Sequence, residues 1–121
     1  MDYDITISTS EVYVLINVTQ NFTKHIAEQF MKDATELGEK NDIRKMLIDI
    51  RGISSLSSVL DKYTYAYKDG KRVGLTHAWV IALLVDKMDK DVRFFETVMK
   101  NAGFNCRLFD NEGQAVAWIE E

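Results

Sequence analysis

His77 to Val85 reads HAWVIALLV, and the kind of sheet this chain builds turns on those nine residues. Every residue after His77 is apolar. A strand with one face in water alternates apolar and polar side chains, because successive side chains point to opposite faces. A strand covered on both faces has no reason to alternate. The run therefore predicts a strand buried between two layers of a mainly parallel sheet, and parallel neighbours require crossover segments that are usually helical. Lys45 to Ile50, KMLIDI, has the same character at strand length and is bounded by charge and by Arg51-Gly52. It is expected deep in the same sheet.

Helical spacing is found on both sides of these strands. In Thr23 to Gly38, TKHIAEQFMKDATELG, the apolar positions Ile26, Ala27, Phe30, Met31, Ala34 and Leu37 recur on one face. Thr23 is placed to cap that helix and Gly38 to end it. Ser57 to Gly70, SSVLDKYTYAYKDG, opens with a capping pair, Ser58 and Asp61, and carries Val59, Leu60, Tyr63, Ala66 and Tyr67 on one side. Asp91 to Gly103 sets Val92, Phe95, Val98, Met99 and Ala102 on a stripe. Cys106 to Phe109, CRLF, reads as the last strand. Asp110 or Asn111 caps a final helix, whose Ala115, Val116, Trp118 and Ile119 form an apolar patch best buried against the core.

The chain opens differently. In Asp4 to Val18, DITISTSEVYVLINV, β-branched residues alternate on either side of a polar turn at Thr9 and Ser10, with Val12, Val14, Ile16 and Val18 on one face. This predicts an antiparallel hairpin. The expected order is ββαβαβαβα: an α/β fold with a mixed sheet, an N-terminal antiparallel hairpin and helices packed on it, forming one domain over residues 1–121.

Composition narrows the function. Of 121 residues, 46% are hydrophobic and 28% charged, with a formal charge of -4 and no basic stripe, which argues against a nucleic-acid partner. Proline is absent, so Gly, Asn, Asp and Ser must shape the loops. One cysteine can form neither an internal disulfide nor a thiolate metal site, and it suits a reducing compartment. MDYDITIS lacks a basic leader and AWVIALLV is far below the roughly 20 apolar residues of a membrane-spanning helix. A cytoplasmic protein with no integral membrane segment is expected.

The reactive residues favour no catalysis. His25 and His77 have no further ligand at metal spacing, and Cys106 has neither a His nor a CxxC partner, so it reads as an inert thiol. Asp86, Asp89 and Asp91 follow the fourth strand, where open α/β sheets tend to hold ligands. Their spacing is not that of a calcium loop, and the simpler reading is loop acids of which one caps the next helix. An enzyme using these acids is the weakest reading. Asp49 is expected to be structural. KDGKRVG, residues 68–74, lacks the order of a phosphate loop and reads as a turn. No catalytic, cofactor or metal residue is assigned.

GISSLSS, residues 52–58, places four serines between a buried strand and a helix. Serine oxygens there cap free N–H groups. A phosphate on Ser57 or Ser58 would add about -1.5 to -2 charges beside a helix N-terminus and change the surface offered to a partner.

The strand order and two stretches carry a resemblance. MLIDIRGISSLSSVLDKYTYAY resembles the segment of STAS domains, the anti-sigma-factor antagonist fold, in which a strand ending in Asp and a short loop lead into a helix bearing the regulatory serine. DKDVRFFETVMKNAGFNCRLFDNEGQAVAWI resembles the last third of uncharacterised bacterial STAS-like proteins, through Phe95, Asn101, Gly103, Phe109, Ala115 and Trp118. Ser58 occupies the place of the regulatory serine, although Ser57-Ser58-Val59-Leu60 lacks the antagonists' Asp before it and Gly after it. The resemblance implies a non-enzymatic regulatory or protein-interaction domain, switched by serine phosphorylation. Its contact surface would be Ser54, Ser55, Asp61 and Tyr65, and its partner another protein or a second copy. Kinship of that fold with the CRAL-TRIO domain implies the alternative, an apolar small-molecule or lipid carrier. Tyr63, Tyr67, Trp79, Phe94 and Phe95 would then line the ligand space.

Overall fold

The computed structural model describes residues 3–19, 24–53 and 76–121. Eight elements follow in chain order: β1 (Tyr3–Ile7), β2 (Val14–Val18), α1 (Lys24–Lys40), β3 (Lys45–Asp49), β4 (Val80–Leu84), α2 (Lys90–Asn101), β5 (Asn105–Phe109) and α3 (Glu112–Ile119). The helix expected over 57–70, its serines, the 68–74 turn and the Thr23 cap lie outside the described residues.

The five strands stand in their chain order, β1-β2-β3-β4-β5. β1 and β2 are antiparallel, as the alternating opening predicts, and the remaining neighbours are parallel. KMLID is the central strand and VIALL its neighbour. This sequential order has a physical consequence for the layers. The β2–β3 and β4–β5 crossovers step in the same direction across the sheet, and such crossovers are right-handed, so α1 and α2 fall on one face. α1 packs on β1 and β2, and α2 on β5, from that face. α3 follows the last strand and is no crossover, so it is free to cover the opposite face, where it lies on β3, β4 and β5.

The sheet accordingly separates two apolar layers. Val14, Ile16, Met46, Ile48, Ile81, Leu83, Cys106 and Leu108 point to the layer shared with Phe30, Met31, Trp79, Phe95 and Met99. Leu47, Ala82, Leu84 and Phe109 point to the other, where Ala115 and Ile119 of α3 meet them. This is why HAWVIALLV does not alternate. The closing AVAWI patch belongs to the core, with Ala115 and Ile119 fully buried and Val116 and Trp118 half-buried. Trp118 is not itself the seal: its ring rests on Phe109 with centroids 5.6 Å apart, and Ile119 reaches deeper.

Two expectations are corrected. Val12 lies outside the hairpin ladder and packs with the second layer. The connection spans Ser8 to Tyr13, because Ser8 N–H donates to the Tyr13 carbonyl at 2.9 Å, its hydroxyl accepts from the Val12 and Tyr13 amides, and Glu11 takes a left-handed φ of 60°. The second correction is that Gly38 does not end α1. The helix runs to Lys40 and stops at Asp42, whose φ of 58° lets Ile43 N–H reach back to the Gly38 carbonyl and Asp42 N–H to Glu39. α2 ends by the same geometry, with Gly103 at φ 93° and Phe104 N–H donating to Met99. Gly38 answers instead to Trp79: a Cβ there would sit 2.3 Å from Trp79 Cη2 and 2.7 Å from the Ile43 carbonyl oxygen.

Candidate functional site

The strand ends bring the chain's polar residues together. Side chains of Leu15, Asn17, Leu47, Asp49 and Leu84 share the α3 face of the sheet, and Asn17, Asp49 and Leu84 are in register at its carboxyl end. With Tyr13, Arg51, and Glu112 and Val116 of α3, they bound a cleft of about 250 Å³. Its floor is apolar and its rim charged.

Arg51 organises that rim. Its Nε donates to Asp49 Oδ1 at 3.1 Å and its terminal nitrogen to Oδ2 at 2.9 Å, while its backbone N–H also reaches Oδ1. The same guanidinium lies 3.5 Å from Glu112 Oε1 at the start of α3. These hydrogen bonds to Asp49, reinforced by the Asp49, Glu112 and Asp86 charges, raise the already high affinity of Arg51 for its proton, so its charge is constant. The next residue, Gly52, has φ 82° and donates its N–H to Asp86 Oδ2 at 2.7 Å, and Ile53 is buried. The segment from β3 toward the serine stretch is thus held at three successive residues, Arg51, Gly52 and Ile53. Tyr13, at the other end of the cleft, has its phenol pKa raised by burial first and then by the Glu120 and Glu112 charges, so it remains a neutral hydroxyl.

The acids after β4 do not converge. Asp86 holds Gly52, Asp89 caps α2 by accepting from Val92 N–H at 3.0 Å, and Asp91 is exposed in the first helical turn. Among the described residues no group of three or more His, Cys, Asp or Glu is arranged to hold a metal ion. His25 is exposed, and His77 precedes β4 rather than beginning it, its ring edge-on to Phe104 with centroids 4.6 Å apart. Phe94 faces solvent at 70% exposure, so it lines no interior space, whereas Trp79 and Phe95 fill the core. Ser54, Ser55, Ser57, Ser58, Asp61 and Tyr65 lie outside the described residues. Among the described residues no helix is long and apolar enough to cross a membrane.

Sequence reasoning missed the cleft because its walls come from distant segments. Asp49 and Arg51, two apart at the end of a strand, offered a local signal for half of the ion pair network. Nothing in the sequence joins either to Glu112.

Cys106 is buried in the first layer, and burial, with a smaller contribution from Glu96, pushes its thiol up to about 12. The thiolate is the reactive form, so native protein at pH 8 should react with a disulfide reagent more than tenfold more slowly than unfolded protein. Because the folded state favours the protonated thiol, its stabilisation is complete below the ordinary thiol value of 9.0 and is lost as pH rises toward about 12. Urea midpoints across that window should fall more steeply for wild type than for Cys106→Ala.

No protein-family model matches the chain, and no curated protein matches it.

Proposed function

We propose that this chain is a non-enzymatic, STAS-like protein-interaction domain that presents the serine stretch 54–58 to a partner and is regulated by phosphorylation there. The observation that supports this reading best is the anchored stem of that stretch. Asp49, Asp86 and Glu112, three carboxylates around the sheet's carboxyl end, are engaged in fixing Arg51 and Gly52. Residues held this way are poor candidates for proton transfer and good ones for positioning a recognition loop, since fixing a loop beforehand lowers the entropy cost of binding. A phosphate on Ser57 or Ser58 would add about -1.5 to -2 charges a few residues along the sequence from Arg51. Phosphorylation would then change the surface offered to a partner.

The test is intact-mass measurement on protein from its own cells, paired with affinity capture by wild type, Ser58→Ala and Ser58→Asp. Phosphorylated protein, and a set of bound proteins that differs between the two variants, are expected. Unmodified serines under varied growth conditions, with identical partners for all three baits, would reduce the stretch to a helix cap.

A further inference from the structure

The cleft beside α3 is built like a small-molecule site, with an apolar floor and a few polar groups at its rim that can orient what lies on it. Leu47 and Leu84 of the floor are buried, and Leu15 of β2 and Val116 of α3 are half-buried beside them. Its 250 Å³ is room for about eight non-hydrogen atoms, taking roughly 30 Å³ for each as for a water molecule in the liquid. One polar group in the lining has no partner. Tyr13 is only 8% exposed, yet its hydroxyl makes no hydrogen bond to the protein. That oxygen is not shut off from solvent, so with Tyr13 in the lining it opens to the cleft, where a phenol can both donate and accept.

Charge decides what such a site would hold. The lining carries the carboxylates of Asp49 and Glu112 and the guanidinium of Arg51, which leaves one negative charge unbalanced. Arg51 already gives two side-chain hydrogen bonds to Asp49, so an anion would have to displace a carboxylate to reach it. Glu112 is mostly exposed and touches Arg51 through one oxygen at 3.5 Å, so it is the carboxylate left to take a cation. Lys45, on the same strand as Leu47, is outside the lining and donates to the Glu121 carbonyl at 2.6 Å. The Glu120 and Glu112 charges both raise the Tyr13 phenol, so the field at that oxygen is negative. We propose that the cleft binds a small organic monocation, an amine of about eight non-hydrogen atoms. Its apolar body lies on Leu15, Leu47, Leu84 and Val116, and its ammonium group lies between Glu112 and Tyr13 Oη, donating to both. This site is on the α3 face, and the inference does not depend on the proposed serine switch.

The experiment is an NMR titration of the whole chain that follows the amides of Leu15, Leu47 and Val116. The probes are benzylammonium, benzyl alcohol and benzoate, which share a ring and differ in charge. Benzylammonium is expected to give saturable shifts with a Kd on the order of 1 mM, in keeping with so small a ligand. Benzyl alcohol should bind about fivefold more weakly, the scale of one partly exposed ion pair, and benzoate more weakly still. Glu112→Gln removes the unbalanced charge and should bring benzylammonium to within about twofold of benzyl alcohol. Tyr13→Phe should weaken benzylammonium about threefold to tenfold through the lost hydrogen bond. Dispersed amide spectra check that both variants fold. No saturable shift with benzylammonium up to about 20 mM, benzoate binding as tightly as benzylammonium, a charge preference unchanged in Glu112→Gln, or a Tyr13→Phe chain that binds as wild type does overturns the proposal.

Discussion

Gly38→Ala should lower stability by about 2 kcal/mol or more, the reverse of what the same change does in an ordinary helix. Replacing glycine by alanine inside a helix normally stabilises by about 0.5 to 1 kcal/mol. Here the new methyl would meet the Trp79 ring at 2.3 Å and the Ile43 carbonyl oxygen at 2.7 Å. Neither neighbour can move cheaply. Trp79 is fully buried among the first layer, and Ile43 is tied to the end of α1 by its own N–H, which donates to the Gly38 carbonyl at 2.7 Å. Overpacking of this sort costs about 1 to 3 kcal/mol in well-packed interiors, and here it must also cancel the helical gain. The measurement is urea unfolding with the slope held as a check on two-state behaviour. Trp79→Phe provides an internal control. A phenyl ring is shorter than an indole, so the penalty of Gly38→Ala should be smaller in the Trp79→Phe background, while the Ile43 contact keeps part of it. Equal penalties in both backgrounds would place the indole elsewhere.

Ile119→Ala should cost about 3 kcal/mol, within the range of about 2 to 5 for truncating a buried isoleucine. Ile119 is fully buried although only two residues follow it in the sequence, within the layer formed with Leu47, Ala82, Leu84, Phe109 and Ala115. Trp118→Ala, removing a larger but half-buried ring, should cost less. That order separates two roles for the terminal helix. In a helix displayed for a partner, the large tryptophan would matter to binding and neither change would matter much to folding. In a helix that closes the sheet, the smaller and deeper residue dominates. A loss below about 0.5 kcal/mol for Ile119→Ala would show that α3 is not part of the cooperative core.

Much of the fold could be read before any coordinates, and the reasons are local. HAWVIALLV and KMLIDI lack alternation because both faces of their strands are covered, a property each residue reports independently. The hairpin and the three described helices follow from period and capping, with Asp89 and Asn111 both found as N-caps. What could not be read depended on distance. Gly38 was expected to stop a helix because glycine usually marks a left-handed turn, but its role comes from a tryptophan 41 positions later in the sequence. Asp42, an unremarked residue, takes the left-handed stop in its place. Val12 fits the alternation of β2, yet hydrogen bonds from its own and the next amide to the Ser8 hydroxyl draw it out of the ladder. The cleft is the extreme case. Its rim depends on Arg51 meeting both Asp49 and Glu112, and only the packing of α3 on the sheet brings the last of these within reach.

That packing carries the whole account: without α3 the second apolar layer is open and the cleft loses a wall. Native-state hydrogen exchange tests it most directly, because amides that open only by global unfolding share the global free energy. The account predicts that the interior amides of α3 exchange with the same free energy as those of β3 and β4. Exchange of α3 at near-free rates while β3 and β4 stay protected would contradict it.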